Sequence, residues 1–140
     1  MPPLAPVNTA GRLSTADPAQ VANRAEGFAR EASEGIYSAQ QALAGKAVYE
    51  RACVACHGVD FQPAPGSPSL KGGAFMANWR GRSVAELFAY TRGNMPVGMG
   101  GSLPDSDYLA LTAFMLEING FPAGEPLDPD EAMLSALGIE

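Results

Sequence analysis

The stretch Cys53-Val54-Ala55-Cys56-His57 constrains this chain more than any other. It holds both cysteines and the one histidine of a 140-residue sequence. C-x-x-C-H is the spacing that attaches a c-type haem. Two thiols three residues apart each bond one vinyl group of a porphyrin, and the next residue presents an imidazole to the iron. The alternatives fit the inventory poorly. A structural zinc site takes four N/S ligands, and three are present. A thioredoxin-type C-x-x-C belongs in a βαβ setting, and the flanks show no strand alternation. A disulfide across two residues would close too short a loop to stabilise anything. The motif therefore predicts one covalently attached haem c.

Composition agrees with a chain that relies on such a group. Of sixteen glycines and twelve prolines, half fall between residues 58 and 104, a concentration that makes the middle of the chain read as loop-rich. The expected class is all-α, with short helices packed around a large apolar disc that acts as a staple. The net charge of −6 argues against nucleic acid and against anionic membrane surfaces. It would steer encounters toward a basic patch on a protein partner. No run approaches 18 apolar residues, so no membrane span is expected. The start, Met1-Pro2-Pro3-Leu4-Ala5-Pro6, has neither a basic n-region nor an apolar h-region. Haem of this type is attached on the exported side of a membrane, so a periplasmic location is expected, with the export signal absent from this chain.

Three regions follow along the chain. Residues 1–36 read as an extension. Its first 16 residues are Pro-, Ala- and Ser/Thr-rich, and Asp17-Pro18 with Gln20 opens a helix over 18–33. Residues 37–124 form the main domain. Ser38-x-x-Gln41 is a capping box for a helix that ends at Ala52 and delivers the chain into Cys53. Gly45, Val48, Tyr49 and Ala52 share one face of it. A mid-helix glycine costs about 1 kcal/mol against alanine, which makes sense if another helix crosses closely at Gly45. Residues 58–82 read as loop. Ser83-x-x-Glu86 opens a helix through Thr91, with Gly93 as its stop, and Asn94 to Gly101 is loop again. The last strong helix covers about 105–119. Its stretch Tyr108 to Leu116 is apolar except for Thr112, which predicts burial on two sides, against the first helix and against a porphyrin edge. Residues 125–140 are an acidic tail with a short solvated helix around 129–137.

One axial position on the iron is left for a second ligand. With no second histidine, the candidates are Met, Lys, Tyr or water. Of six methionines, Met95 and Met99 sit in a Gly/Pro loop downstream of the haem motif. Met95 is favoured because Pro96 has a fixed φ and stiffens the loop there. Met99, between two glycines, is the alternative. His/Met ligation fills both axial positions and raises the reduction potential, which suits an electron-transfer protein and not an enzyme. An open sixth position would instead suit a haem sensor or a peroxidase-like protein.

With these residues in place, 37–122 resembles a class I (mitochondrial-type) cytochrome c. The order matches: Gly45 and Tyr49 on the first helix, Cys53-x-x-Cys56-His57, Pro68-x-Leu70, Trp79, a Met-Pro loop and the apolar last helix. The resemblance implies the all-α cytochrome c fold, with Gly45 and Tyr49 crossing Phe114. It implies that the Pro68 carbonyl accepts the free ring N–H of His57 and that Trp79 approaches a haem propionate. The implied cofactor-binding set is Cys53, Cys56, His57, Met95, Pro68, Leu70 and Trp79. A narrower likeness covers 79–124: Trp79-Arg80-Gly81-Arg82, Leu87-Phe88-x-Tyr90-Thr91-Arg92-x-x-Met95-Pro96, Gly101-Ser102-Leu103, Tyr108 and Asn119-Gly120-Phe121-Pro122-Ala123-Gly124. This is similar to cytochrome c domains and subunits that serve bacterial quinoprotein (PQQ) alcohol dehydrogenases. It implies Met95 as the distal ligand, a periplasmic dehydrogenase as electron donor, and a cytochrome or terminal oxidase as acceptor.

Overall fold

The computed structural model describes residues 28–58, 61, 69–96 and 98–140. Among these residues the architecture is six helices and one pair of two-residue strands, so the all-α expectation is met.

Helix α1, Ala39–Ala52, starts where the sequence placed it. The Ser38 hydroxyl accepts from the Gln41 N–H at 3.0 Å, and the Gln41 side-chain oxygen accepts from the Ser38 N–H at 3.0 Å. Such a cap is worth about 1 kcal/mol. Gln41 also reaches out of the helix: its amide donates to the Leu127 carbonyl and its oxygen accepts from the Leu127 N–H. Ala42, Gly45, Val48 and Tyr49 form the buried face.

That face packs on α5, Asp105–Ile118, in the most extensive helix pairing of the fold. Gly45 is the point of closest approach. A Cβ built there would lie 2.6 Å from the Ala110 carbonyl carbon and 2.8 Å from Phe114 Cβ. The glycine cost in helix propensity is therefore the condition for letting two backbones touch. Residues Tyr108 to Leu116 of α5 are all buried. No single-sided amphipathic stripe could show this pattern. One side of α5 meets α1, and Leu111 and Met115 face a cavity described below.

Helix α2, Val54–His57, is one turn long and follows α1 directly. Its N–H groups at Cys56 and His57 both donate to the Cys53 carbonyl. Gly58, at φ 84°, takes the chain out of the turn, and its carbonyl accepts from the Tyr49 hydroxyl.

Two expectations need correction in the middle of the chain. Residues 58–82 are not all loop: Gly73–Trp79 is helix α3. Phe75 and Trp79, four residues apart, are both buried on one face of it, so packing of two aromatics overrides the glycine-rich entry. Helix α4 is Val84–Asn94, so Gly93 lies within it and does not stop it. The Ser83 hydroxyl caps it by accepting from the Glu86 N–H at 3.1 Å. The Glu86 carboxylate does not complete the box. It pairs with Arg82 at 2.8 Å instead.

The two ends of the described chain also depart from expectation. Most of the helix expected over 18–33 lies outside the described residues. Its described end is not α-helical, because Arg30–Glu31 is strand β1 and Ala32–Glu34 a 3-10 turn. The tail captures this backbone: β1 runs parallel to β2, Leu137–Gly138, with Arg30 opposite Leu137 and Glu31 opposite Gly138. The Ala29 N–H donates to the Ala136 carbonyl at 2.7 Å and the Ser33 N–H to the Glu140 carbonyl at 3.0 Å. Nor is the tail helix merely solvated. Helix α6, Glu131–Ser135, is capped by Asp130, and Leu127, Leu134 and Ile139 belong to the same core as α1 and α5. Ile139 is stitched further by hydrogen bonds to Gly81 and Arg82.

Candidate haem site

Three helices each contribute a pair of side chains one turn apart to a single cavity of about 270 Å³: Phe75 and Trp79 from α3, Leu87 and Thr91 from α4, and Leu111 and Met115 from α5. The end of α1 and the turn of α2 add Tyr49, Cys53, Cys56 and His57. The loop after α4 adds Met95 and Pro96, and the segment before α3 adds Leu70. Protein interiors pack with few voids larger than a water molecule. A largely apolar cavity of this size, built from core residues, is therefore a binding site and not loose packing.

Every described residue of the expected cofactor set lines this cavity: Cys53, Cys56, His57, Leu70, Trp79 and Met95. Pro68 lies outside the described residues. Met99 does not line the cavity and is 60% exposed. The cavity wall also includes residues outside the expected cofactor set, Phe75, Leu87 and Leu111 among them. Their i, i+4 spacing on successive helices was the available signal. Met115 of α5 is on the wall too.

His57 is buried, and an aromatic cluster adjoins its turn through the bond from the Tyr49 hydroxyl to the Gly58 carbonyl. Tyr49 and Phe114 pack at a tilt of 46° with centroids 5.5 Å apart, in the crossing the resemblance implied, and Phe61 closes the triangle at 5.2 and 5.6 Å. Burial first, and the neighbouring Cys56 second, push the Cys53 thiol up to about 11. Thioether formation would remove that titration altogether. At another part of the wall, the Arg82 guanidinium sits 4.4 Å from the Trp79 ring centroid and Tyr90 meets Trp79 edge-on at 5.5 Å. Tyr90 is about half exposed, so this aromatic pair joins the cavity to the surface.

Charge is unevenly distributed around the site. Segment 69–96 carries Lys71, Arg80, Arg82 and Arg92 against Glu86 alone, in a chain whose net charge is −6. Two of these cations are paired, Arg82 with Glu86 at 2.8 Å and Arg92 with Asp105 at 3.5 Å. Exposed pairs of this kind add at most about 1 kcal/mol, so their effect is on the local potential and not on the fold.

Side-chain amides and hydroxyls fix the loops that border the cavity. Asn119, just past α5, donates to the Leu70 carbonyl at 2.9 Å and accepts from the Gly72 N–H at 2.9 Å. At the other end of the same helix the Tyr108 hydroxyl donates to the Met95 carbonyl at 2.7 Å.

The residues fit a porphyrin: two thiols and an imidazole on one short turn, an apolar wall, and a thioether sulfur on a separate loop of the same cavity. Comparison with known families agrees. The profile of the family described as cytochrome c oxidase, cbb3-type, subunit III matches residues 40–115, more than half of the chain. The chain belongs to this cytochrome c family. No significant match was found among curated proteins or among solved structures. Family membership carries a covalently bound haem c and haem-based electron transfer. The matched span runs from the second residue of α1 to Met115 of α5, so it includes the haem motif and the Met95 loop. None of the described helices is long and apolar enough to cross a membrane.

Proposed function

We propose that the chain is a periplasmic one-electron relay with a single haem c, bonded through Cys53 and Cys56 and ligated axially by His57 and Met95. One observation carries the reading: Cys53, Cys56, His57 and Met95 line the same cavity, whereas Met99 is turned to solvent. When bound, the haem supplies the one-electron couple of its iron. The chain's own residues do the rest. His57 and Met95 would hold the iron between them and so keep substrate and oxygen from it. Phe75, Leu87, Leu111 and Met115 exclude water, which raises the potential and lowers the solvent reorganisation that accompanies electron transfer. Tyr90 and Trp79 mark the side on which the cavity meets the surface.

The donor in this reading is a periplasmic dehydrogenase of the quinoprotein alcohol dehydrogenase kind, on the likeness of residues 79–124. The acceptor is a cytochrome or a terminal oxidase. The family description, which names an oxidase subunit, supports the latter. Pro68 in this reading orients His57 through its ring N–H. The test is spectroscopic and redox. The ferric protein should be low-spin, with a near-infrared Met–Fe charge-transfer band that disappears in Met95→Ala and persists in Met99→Ala. Stopped-flow mixing with the reduced dehydrogenase should then reduce the haem. High-spin iron that binds CO rapidly in the unaltered protein would overturn the relay reading in favour of a sensor or peroxidase.

A further inference from the structure

We propose that Tyr108 is a positioning residue that holds the Met95 loop shut over the cavity. The inference rests on the assignment of Met95 as the distal ligand. Tyr108 lies in the first turns of α5 and is fully buried. Its hydroxyl donates to the Met95 carbonyl at 2.7 Å and accepts from the Leu103 N–H at 3.3 Å. One phenol thus joins the two ends of the 95–103 loop, the residue that faces the cavity and the residue that leads into α5. Both backbone groups would otherwise be partly buried without these partners.

The remainder of the loop is held against α4 by its backbone. The Gly101 N–H donates to the Arg92 carbonyl at 2.8 Å. Gly100 lies so close to the last turn of α4 that a Cβ on it would come within 2.7 Å of the Gly93 carbonyl carbon. The Met99 N–H bonds to the Pro96 carbonyl and the Ser102 N–H to the Met99 carbonyl. Those contacts fix its tip. The end that carries Met95 is tied by its own N–H to Thr91 and by Tyr108. Removing the phenol hydroxyl leaves the Thr91 bond alone at that end, so the sulfur should leave the metal more often while the fold persists.

An exogenous ligand reads this opening directly, because its apparent affinity scales with the fraction of open loop. In the ferric holoprotein, Tyr108→Phe should bind imidazole about tenfold more tightly than the unaltered protein, the size expected from losing one or two hydrogen bonds. Thr112→Val is the control. It removes a buried hydroxyl bonded to the Tyr108 carbonyl within the same helix and should lower thermal stability with imidazole affinity unchanged within about twofold. In the unaltered protein, saturating imidazole should also speed hydrogen exchange at the Leu103 amide. An imidazole affinity in Tyr108→Phe within twofold of the unaltered protein refutes the proposal, as does an equal gain in Thr112→Val. Undiminished Leu103 protection under imidazole refutes it without any variant. Retention of the near-infrared band in Met95→Ala would instead remove the ligand assignment on which the proposal rests, so the two failures are distinguishable.

Discussion

Gly45→Ala and Gly93→Ala are the same substitution inside two helices of one protein, and they should have opposite signs. At Gly93 a Cβ meets nothing within 4 Å. Alanine there should gain its helix propensity, roughly 0.5–1 kcal/mol. At Gly45 the same gain is opposed by a collision with backbone, the Ala110 carbonyl carbon at 2.6 Å, and with the fixed Cβ of Phe114 at 2.8 Å. Ordinary contact begins near 3.4 Å, so α1 and α5 must part by close to 1 Å. A radial gap of that size forfeits a quarter to a half of the dispersion well of each contact across the interface, and it separates the Tyr49–Phe114 pair, itself worth about 0.5–1.5 kcal/mol. Overpacking of this kind typically costs 1–3 kcal/mol. Because the obstacle is backbone and cannot change rotamer, the upper part of that range applies, for a net loss of about 2–3 kcal/mol. For a chain of this size that is a fall in Tm of about 8–12 °C, against a rise of about 2–4 °C for Gly93→Ala. Guanidinium unfolding of the holoprotein, followed by circular dichroism, measures both. The haem stays bonded in the unfolded chain, so its dissociation does not complicate the comparison. A Gly45→Ala variant as stable as the unaltered protein would refute the close crossing.

Other expectations are independent of that crossing. Met95→Ala should lower the reduction potential by on the order of 0.1 V, within the ~0.8 V that axial ligation spans, while Met99→Ala, at an exposed site, should leave it nearly unchanged; equal shifts in redox titration would sink the Met95 assignment. Ile139→Ala should destabilise by about 2–5 kcal/mol in denaturant unfolding and leave the visible spectrum intact, because Ile139 is fully buried yet does not line the haem cavity. Gln41→Ala removes one half of a capping box and two bonds to the Leu127 backbone; a loss of about 2 kcal/mol should come with faster hydrogen exchange at Leu127 than elsewhere in the tail.

What was legible in the sequence was what short-range rules govern. The Ser38–Gln41 box placed the start of α1 because capping is a contact between residues three apart. Gly45 announced a close crossing because glycine in mid-helix is otherwise unfavourable. The continuous apolar stretch of α5 announced burial on two sides. Choosing between Met95 and Met99 from proline stiffness picked out the methionine that lies on the cavity wall, although stiffness is not why it lies there. It faces inward because α4 continues to Asn94 and delivers residue 95 at the end of a helical turn, while Met99 lies further along the loop and is exposed.

The rest depended on contacts between residues far apart in the chain. An acidic tail reads as solvated when each residue is judged by its neighbours, yet three of its apolar side chains reach the core while its carboxylates stay outside. That arrangement needs partners at residues 29–33 and 81–82, which no local pattern records. The loops around the haem cavity pose the same difficulty in sharper form. Their sequences are rich in glycine and could close in many ways. What selects one way is a pair of polar side chains on either side of α5: Tyr108 on the Met95 carbonyl and Asn119 on the Leu70 and Gly72 backbone. The last helix is therefore more than an apolar wall. It carries at each end the hydrogen-bonding group that ties down a cavity loop, so a mutation at either end should alter the metal's surroundings without touching a residue of the haem motif.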